Sequence, residues 1–429
     1  AAYSWSLVET VPGEGYQQFV LRMNSQTWRT AAEVDQPLWK HWLTIYVPQN
    51  AKATTGLLFI GGGSKSEQTP LKPDPFLVEM AKVTGSVVAS LRDIPNEPLT
   101  FKQEGKPRTE DEIIAYTWRK YLETGDEKWP LRLPMTKAVV RAMDTITAFC
   151  GGGPAGGIKV DRFFVAGASK RGWTTWTTAA VDDRVIGVAP VVIDLLNIVP
   201  SFQHHYRAYG FWAPAIKDYQ DMGIMQATDT GEYRNLMRLV EPYSYRDRYK
   251  FPKYIVNSSG DQFFLPDSSQ FYFDDLPGEK YIRYVPNTDH SLKDSDAREG
   301  LIAYYDALLR DVPRPRFSWT FERDGSLRVI TRDQPSDVKV WYATNPKARD
   351  FRLETIGKAY QAARPQLLRP GTYVARVPKP EAGWTAFFVE LTFPSGGKYP
   401  FKFSTPVRVI PDTLPYEWPP KKAASAKAR

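Results

Sequence analysis

The run Asp161-Arg162-Phe163-Phe164-Val165-Ala166-Gly167-Ala168-Ser169-Lys170-Arg171-Gly172-Trp173 constrains this chain more than any other stretch. Its first half is short, apolar and rich in aromatic and β-branched residues, which reads as a buried strand. From Trp173 to Ala180 the pattern reads as the start of a helix. The turn between them must be sharp, with Ser169 at its apex. Such junctions belong to parallel sheets, where the serine hydroxyl stands above the carboxyl edge and a helix N-terminus favours nearby negative charge. Glycine is favoured on both sides of the serine because strand and helix approach closely. Arg171 stands where Gly-x-Ser-x-Gly has its second glycine, and Gly172 follows. Either Arg171 points its side chain out of that contact, or the turn is one residue wider. The plain alternative is an ordinary strand–turn–helix with a serine cap.

Two later segments share this logic. Phe251 to Asn257 is a β-rich run, Ser258-Ser259-Gly260 is turn chemistry, and Asp261 follows just past the strand end. Lys280 to Pro286 reads as the next strand, and the loop after it carries His290. Asp294 or Ser295 then caps a helix with apolar residues at Leu301, Ile302, Tyr305, Leu308 and Leu309. Serine, acid, histidine is the chain order of α/β-hydrolase triads, distinct from the chymotrypsin and subtilisin orders. The rival acid is Asp194, after the apolar run Val185 to Ile193, and it reads better as a cap for Leu195-Leu196-Asn197. Of the other histidines, His41 lies in a strand-like run. The adjacent His204 and His205 diverge on any regular element, so both cannot face one site.

A fourth element is the apolar strand Thr55 to Ile60, which runs into Gly61-Gly62-Gly63-Ser64. An oxyanion hole needs one N–H after this strand and one after the nucleophile, so Gly62, Gly63 and Lys170 are the candidates. Read alone, three glycines serve equally well as a plain turn. Neither a phosphate-binding G-x-x-x-x-G-K-[ST] nor a dinucleotide fingerprint occurs, and no metal or other cofactor is expected.

The segments G-A-S-K-R-G-W, F-I-G-G-G-S, N-S-S-G-D-Q-F-F-L-P-D and P-N-T-D-H-S-L resemble the PhoPQ-activated pathogenicity-related proteins, a branch of the α/β-hydrolase superfamily. The likeness covers roughly the first three quarters of the chain and extends into the remainder. It implies an α/β-hydrolase fold and export from the cytoplasm, with Ser169, Asp261 and His290 matching the superfamily triad by position. It supplies no substrate. Glu241 through Asp261 also resembles the end of a prolyl-oligopeptidase-type catalytic domain, whereas the basic residue after Ser169 is similar to glucuronoyl esterases. These point to different substrates, so ester and peptide stay open. The function expected is an exported serine hydrolase acting through an acyl-enzyme. A catalytically idle hydrolase fold used for secreted binding or signalling is the alternative.

Strands alternating with helices from Gly56 to Val285 argue a mostly parallel, doubly wound sheet, preceded by two or three antiparallel strands up to Val47. This α/β-hydrolase domain spans residues 1–312. Residues 194–241 form an aromatic excursion placed where such folds insert a lid; a plain helical layer is the other reading. Trp173, Trp176, Phe202 and Trp212 are the candidate substrate-pocket residues, expected to favour a bulky or planar group. Residues 313–414 alternate with period two between turns and read as a C-terminal all-β, immunoglobulin-like sandwich. Residues 415–429 read as a basic flexible tail.

Composition agrees. Aromatic content is 14%, with 13 Trp and 23 Tyr, which suits a deep core and excludes disorder. No run reaches the ~18 apolar residues of a membrane span. The net charge of +8 is scattered, without the aromatic-interleaved basic strip of nucleic-acid binders, so the expected partner is a small molecule or peptide. The single cysteine, Cys150, allows no intrachain disulfide and reads as a buried thiol. Ala1 at the start fits a mature periplasmic or secreted form after signal removal.

Overall fold

The computed structural model describes residues 2–65 and 67–418. Its centre is built from short runs such as Thr55–Ile60, Arg162–Ala168, Val185–Val191 and Lys253–Ser258, which bury nearly every side chain. Only a strand covered on both faces accepts that composition. These strands lie parallel in the order Val88–Leu91, Thr55–Ile60, Arg162–Ala168, Val185–Val191, Lys253–Ser258, Lys280–Val285. An antiparallel meander, Ser4–Gly13, Tyr16–Thr27 and Leu38–Pro48, extends one side by pairing with Val88–Leu91. The expected parallel run forms the centre, and the sheet as a whole is mixed because antiparallel strands flank it.

Helices cover both faces. Pro75–Thr84 and Ala297–Leu309 pack on one, with Phe164, Tyr254, Tyr304 and Tyr305 in a single apolar cluster. Arg132–Gly151 and Lys170–Val181 pack on the other, over Phe163, Val165 and Val188. From Thr55–Ile60 the chain crosses to Val88–Leu91 on one side and later returns to Arg162–Ala168 on the other. Strand order reverses there, and a crevice at the carboxyl edge is the usual ligand position in such sheets. Ile60 pairs with Gly167, so the glycine loop and the Ser169 turn leave the sheet side by side.

The C-terminal strands fall into two sheets. Phe317–Phe321, Leu327–Thr331, Thr372–Ala375 and Gln366–Arg369 form a four-stranded sheet. Phe401–Ser404, Trp384–Phe393, Asp337–Asn345, Gln361–Ala363 and Arg408–Ile410 instead continue the main sheet to 14 strands. The junction is Ile282 opposite Ser404, reinforced by Tyr284 N–H donating to Ser404 Oγ at 2.9 Å. Hydrogen bonding therefore runs across the boundary that Pro313-Arg314-Pro315 marks in the sequence. Within the expected tail, Tyr416 N–H donates to Arg207 O and Trp418 packs on Tyr206 and Trp212. The rest of that tail, 419–429, lies outside the described residues.

Candidate active site

Ser169 sits between the strand Arg162–Ala168 and the helix Lys170–Val181 with φ 57° and ψ −125°. A non-glycine residue held there costs roughly 1–3 kcal/mol, which surrounding contacts must offset. Ser169 N–H donates to Val191 O at 2.8 Å, and its carbonyl receives Trp173 N–H at 3.0 Å. A Cβ at Gly167 would stand 2.7 Å from Arg171 O, and one at Gly172 would stand 2.8 Å from Ile193 Cγ2. Glycine is thus needed at 172, and Arg171 is tolerated because its side chain leaves the strand–helix contact.

That side chain reaches the glycine loop. Its guanidinium lies where a Cβ on Gly62 would be, 2.3 Å away. Two guanidinium nitrogens donate to Glu110 at 2.9 and 2.6 Å, and the third to Ile94 O. Gly61 O and Gly62 O receive Ile94 N–H and Asp93 N–H at 3.2 and 3.3 Å. Lys170 Nζ also pairs with Glu110, and with Asp111 at 2.9 Å. Burial alone would raise the Glu110 carboxyl, but the two cations hold it down at about 2. Its neighbour Glu97, buried and accepting Glu110 N–H, is pushed up to about 7. Glu110 and Asp111 open the helix Glu110–Thr124. Sequence reading missed both, although Thr109 and Glu112 carry the spacing of a capping box that marks this helix start.

Asp261 and His290 meet at 2.8 Å, carboxylate Oδ2 to Nδ1. Asp261 is buried, and its other oxygen accepts Phe263 N–H at 2.8 Å. The His290 ring packs on Phe263, with centroids 4.4 Å apart, and against Phe264. Its backbone N–H donates to Gln262. Ser169 Oγ makes no hydrogen bond among the described residues. Asp194 lies elsewhere. Buried, it accepts the hydroxyls of Tyr272 and Tyr284, both at 2.6 Å, and burial pushes its carboxyl up to about 7. It is therefore not the helix cap expected from sequence; Asn197 precedes the helix Ile198–Tyr209. His204 pairs with Asp267 at 3.0 Å, His205 accepts Ala213 N–H, and His41 bonds Ser25 and Arg92 O. All three are buried structural groups.

Ser169 and Lys170 line a narrow pocket of about 30 Å³, walled by Trp173, Ile193, Ile198, Phe202, Tyr219, Phe263 and Phe264 among others. Trp173 and Phe202 line this pocket together with Ser169. Trp176 does not reach this cavity: two helical turns beyond Ser169, it packs on Tyr249 in the core. Trp212 stands behind Phe202, among His205, Tyr206 and Trp418. The excursion contributes Ile198, Phe202, Ile216 and Tyr219 to the wall, with Tyr219 anchored to Asp111 at 2.9 Å.

The acid and histidine loops are held from the C-terminal half. Leu353 N–H donates to Gly260 O, next to Asp261. Asn287 and Tyr360 exchange two bonds, side-chain amide to backbone, both at 2.9 Å. Arg349 donates to Asp267 at 2.6 Å, and with His204 it holds that buried carboxyl far below its usual range against the cost of burial.

Comparison with known proteins places this chain. Autocrine proliferation repressor protein A of Dictyostelium discoideum is 38% identical over 443 residues, spanning 96% of this chain and 89% of that protein. Among solved structures, similarity extends to an acetyl xylan esterase from Paenibacillus sp. R4 (14% identity, TM-score 0.49, 72% of this chain and 87% of that one). It extends also to the acylaminoacyl peptidase of Pyrococcus horikoshii (13% identity, TM-score 0.40, 71% and 48%). Residues 1–352 match the family model of the PhoPQ-activated pathogenicity-related protein, and the chain belongs to that family.

Proposed function

We propose that this protein is a serine hydrolase of the α/β-hydrolase type. Ser169 Oγ attacks a substrate carbonyl and passes its proton to His290 Nε2. Asp261 fixes the tautomer and steadies the imidazolium that results. The Lys170 N–H, the first of a helix and without an intrahelical acceptor, receives the oxyanion together with the Gly62/Gly63 backbone. His290 then protonates the leaving oxygen or nitrogen, and water repeats the sequence to release the acyl group. What carries this reading is the Asp261–His290 pair at 2.8 Å, together with a serine held at φ 57° on a strand-to-helix turn. Closure of the His290–Ser169 link belongs to the substrate complex, since such bonds tighten on binding. Residues 313–414 are read as an accessory sandwich of the immunoglobulin kind, and the protein as exported.

A second reading is an idle hydrolase fold used as a secreted signal, and the name of the Dictyostelium relative favours it. Fluorophosphonate labelling separates the two. A single adduct on Ser169, absent from Ser169→Ala, is expected; an unlabelled wild type, or equal labelling of the variant, overturns the enzyme reading.

A further inference from the structure

Two spaces of very different size flank the Ser169 turn. The narrow one, about 30 Å³, is walled by Trp173, Ile193, Ile198, Phe202 and Phe264. Its walls are fixed: Trp173 Nε1 donates to Val240 O at 2.7 Å, and Phe202 is backed by Trp212. One water needs about 10–15 Å³ of such space, so a methyl or ethyl group fits and a longer chain does not. The aromatics fill this space instead of enclosing a broad one.

The second space is an open cleft of about 610 Å³ on the opposite face of the sheet. Ala168 and Ser291, the sequence neighbours of Ser169 and His290, stand in its wall. Its volume lies within the range of small-molecule sites. Phe59 and Phe76 meet edge to face, the Arg298 guanidinium lies 5.4 Å over Phe76, and Asp74 and Lys293 add polar groups. Aromatic faces with charged hydrogen-bonding groups suit a hydroxyl-rich ligand.

Resting on the serine-hydrolase reading, we propose that the substrate is a short-chain acyl ester of a bulky, hydroxyl-rich alcohol. The acyl group enters the narrow pocket and the alcohol occupies the cleft. The orientation follows from the chemistry. Ser169 Oγ bonds to the acyl carbon while the carbon–alkoxy bond breaks. The departing oxygen takes its proton from His290, whose loop continues through Ser291, Leu292 and Lys293 into the wall of the cleft, so the alcohol is placed there. Water then hydrolyses the acyl-enzyme to a short carboxylic acid.

The test compares p-nitrophenyl acetate, butyrate and octanoate, then glucose pentaacetate against ethyl acetate. Wild type is expected to prefer acetate over butyrate by about tenfold or more in kcat/KM, the discrimination a small apolar pocket gives per added methylene. Phe202→Ala should shrink that ratio by about tenfold. Phe76→Ala should raise KM for the sugar acetate by about tenfold and for ethyl acetate by much less. Equal turnover of acetate and octanoate overturns the pocket assignment, and equal effects of Phe76→Ala on both acetates overturn the cleft. Phosphonate labelling of Ser169 with either result confines the failure to this proposal. No labelling and no turnover overturn the serine-hydrolase reading and this proposal together.

Discussion

A carboxylate orients an imidazole only if the two are paired, and one taken up by tyrosine hydroxyls has no imidazole to orient. Asp261 and Asp194 divide along that line: one bonds His290, the other accepts Tyr272 and Tyr284 and is pushed up to about 7 by burial. Asp261→Asn is therefore expected to lower kcat by roughly 10⁴, because the wrong tautomer is stabilised, while Asp194→Asn retains turnover. Steady-state kinetics on both variants decides it; the reverse pattern would move the acid to Asp194. Asp194 also leaves a thermodynamic mark. An unfolded aspartate titrates near ~3.9, so between there and about 7 the folded state binds the extra proton. Its contribution is fully present below the unfolded value and is lost as pH rises through about 7. His41 and His205, held down at about 4 and about 3 by burial, act in the opposite sense below ~6.5. The comparison must therefore be wild type against Asp194→Asn. Melting temperatures from pH 4 to 8 should fall less steeply with pH in the variant, and parallel curves would refute the shift.

At the scale of elements, the Ser169 turn and the glycine loop form one unit joined by Arg171. Its fork to Glu110 sets the guanidinium against Gly62, so the glycine loop proposed to receive the oxyanion has a side-chain support. Arg171→Lys keeps the charge but not the planar fork. It should lower kcat by about tenfold or more with KM little changed, and slow phosphonate inactivation in proportion; removal of a whole oxyanion donor costs about 10²–10³. A change in KM alone would show that Arg171 does not support the loop. The serine turn, the acid turn, the histidine loop and the glycine loop were legible because each is a local pattern of strand, glycine and polar residue. Arg171's partner was not, since Glu110 lies 61 residues away and nothing local links them. Trp176 lies away from the pocket for a different reason: helical spacing from Ser169 gives distance along an axis, and at seven residues that distance is about two turns.

At the scale of the molecule, the C-terminal half is structurally part of the site. Leu353 and Tyr360 hold the loops of Asp261 and His290, and Arg349 neutralises Asp267 within the core. Arg349→Met should destabilise the fold by about 3–5 kcal/mol, because Asp267 is left buried with only His204. Urea denaturation measures this, and a loss below about 1 kcal/mol would mean the pair is solvent-relaxed. Period-two alternation made the C-terminal strands readable. Their attachment to the main sheet was not readable, because strand pairing between distant segments leaves no periodic trace in either one.

The pairing of Ile282 with Ser404 also sets an order of events on the ribosome. The strand Lys280–Val285 is made long before Phe401–Ser404, and until the latter emerges it presents an uncapped row of amides and carbonyls. A nascent chain holding the α/β half alone is thus a template for intermolecular strand addition, and the last strands close that edge as they appear.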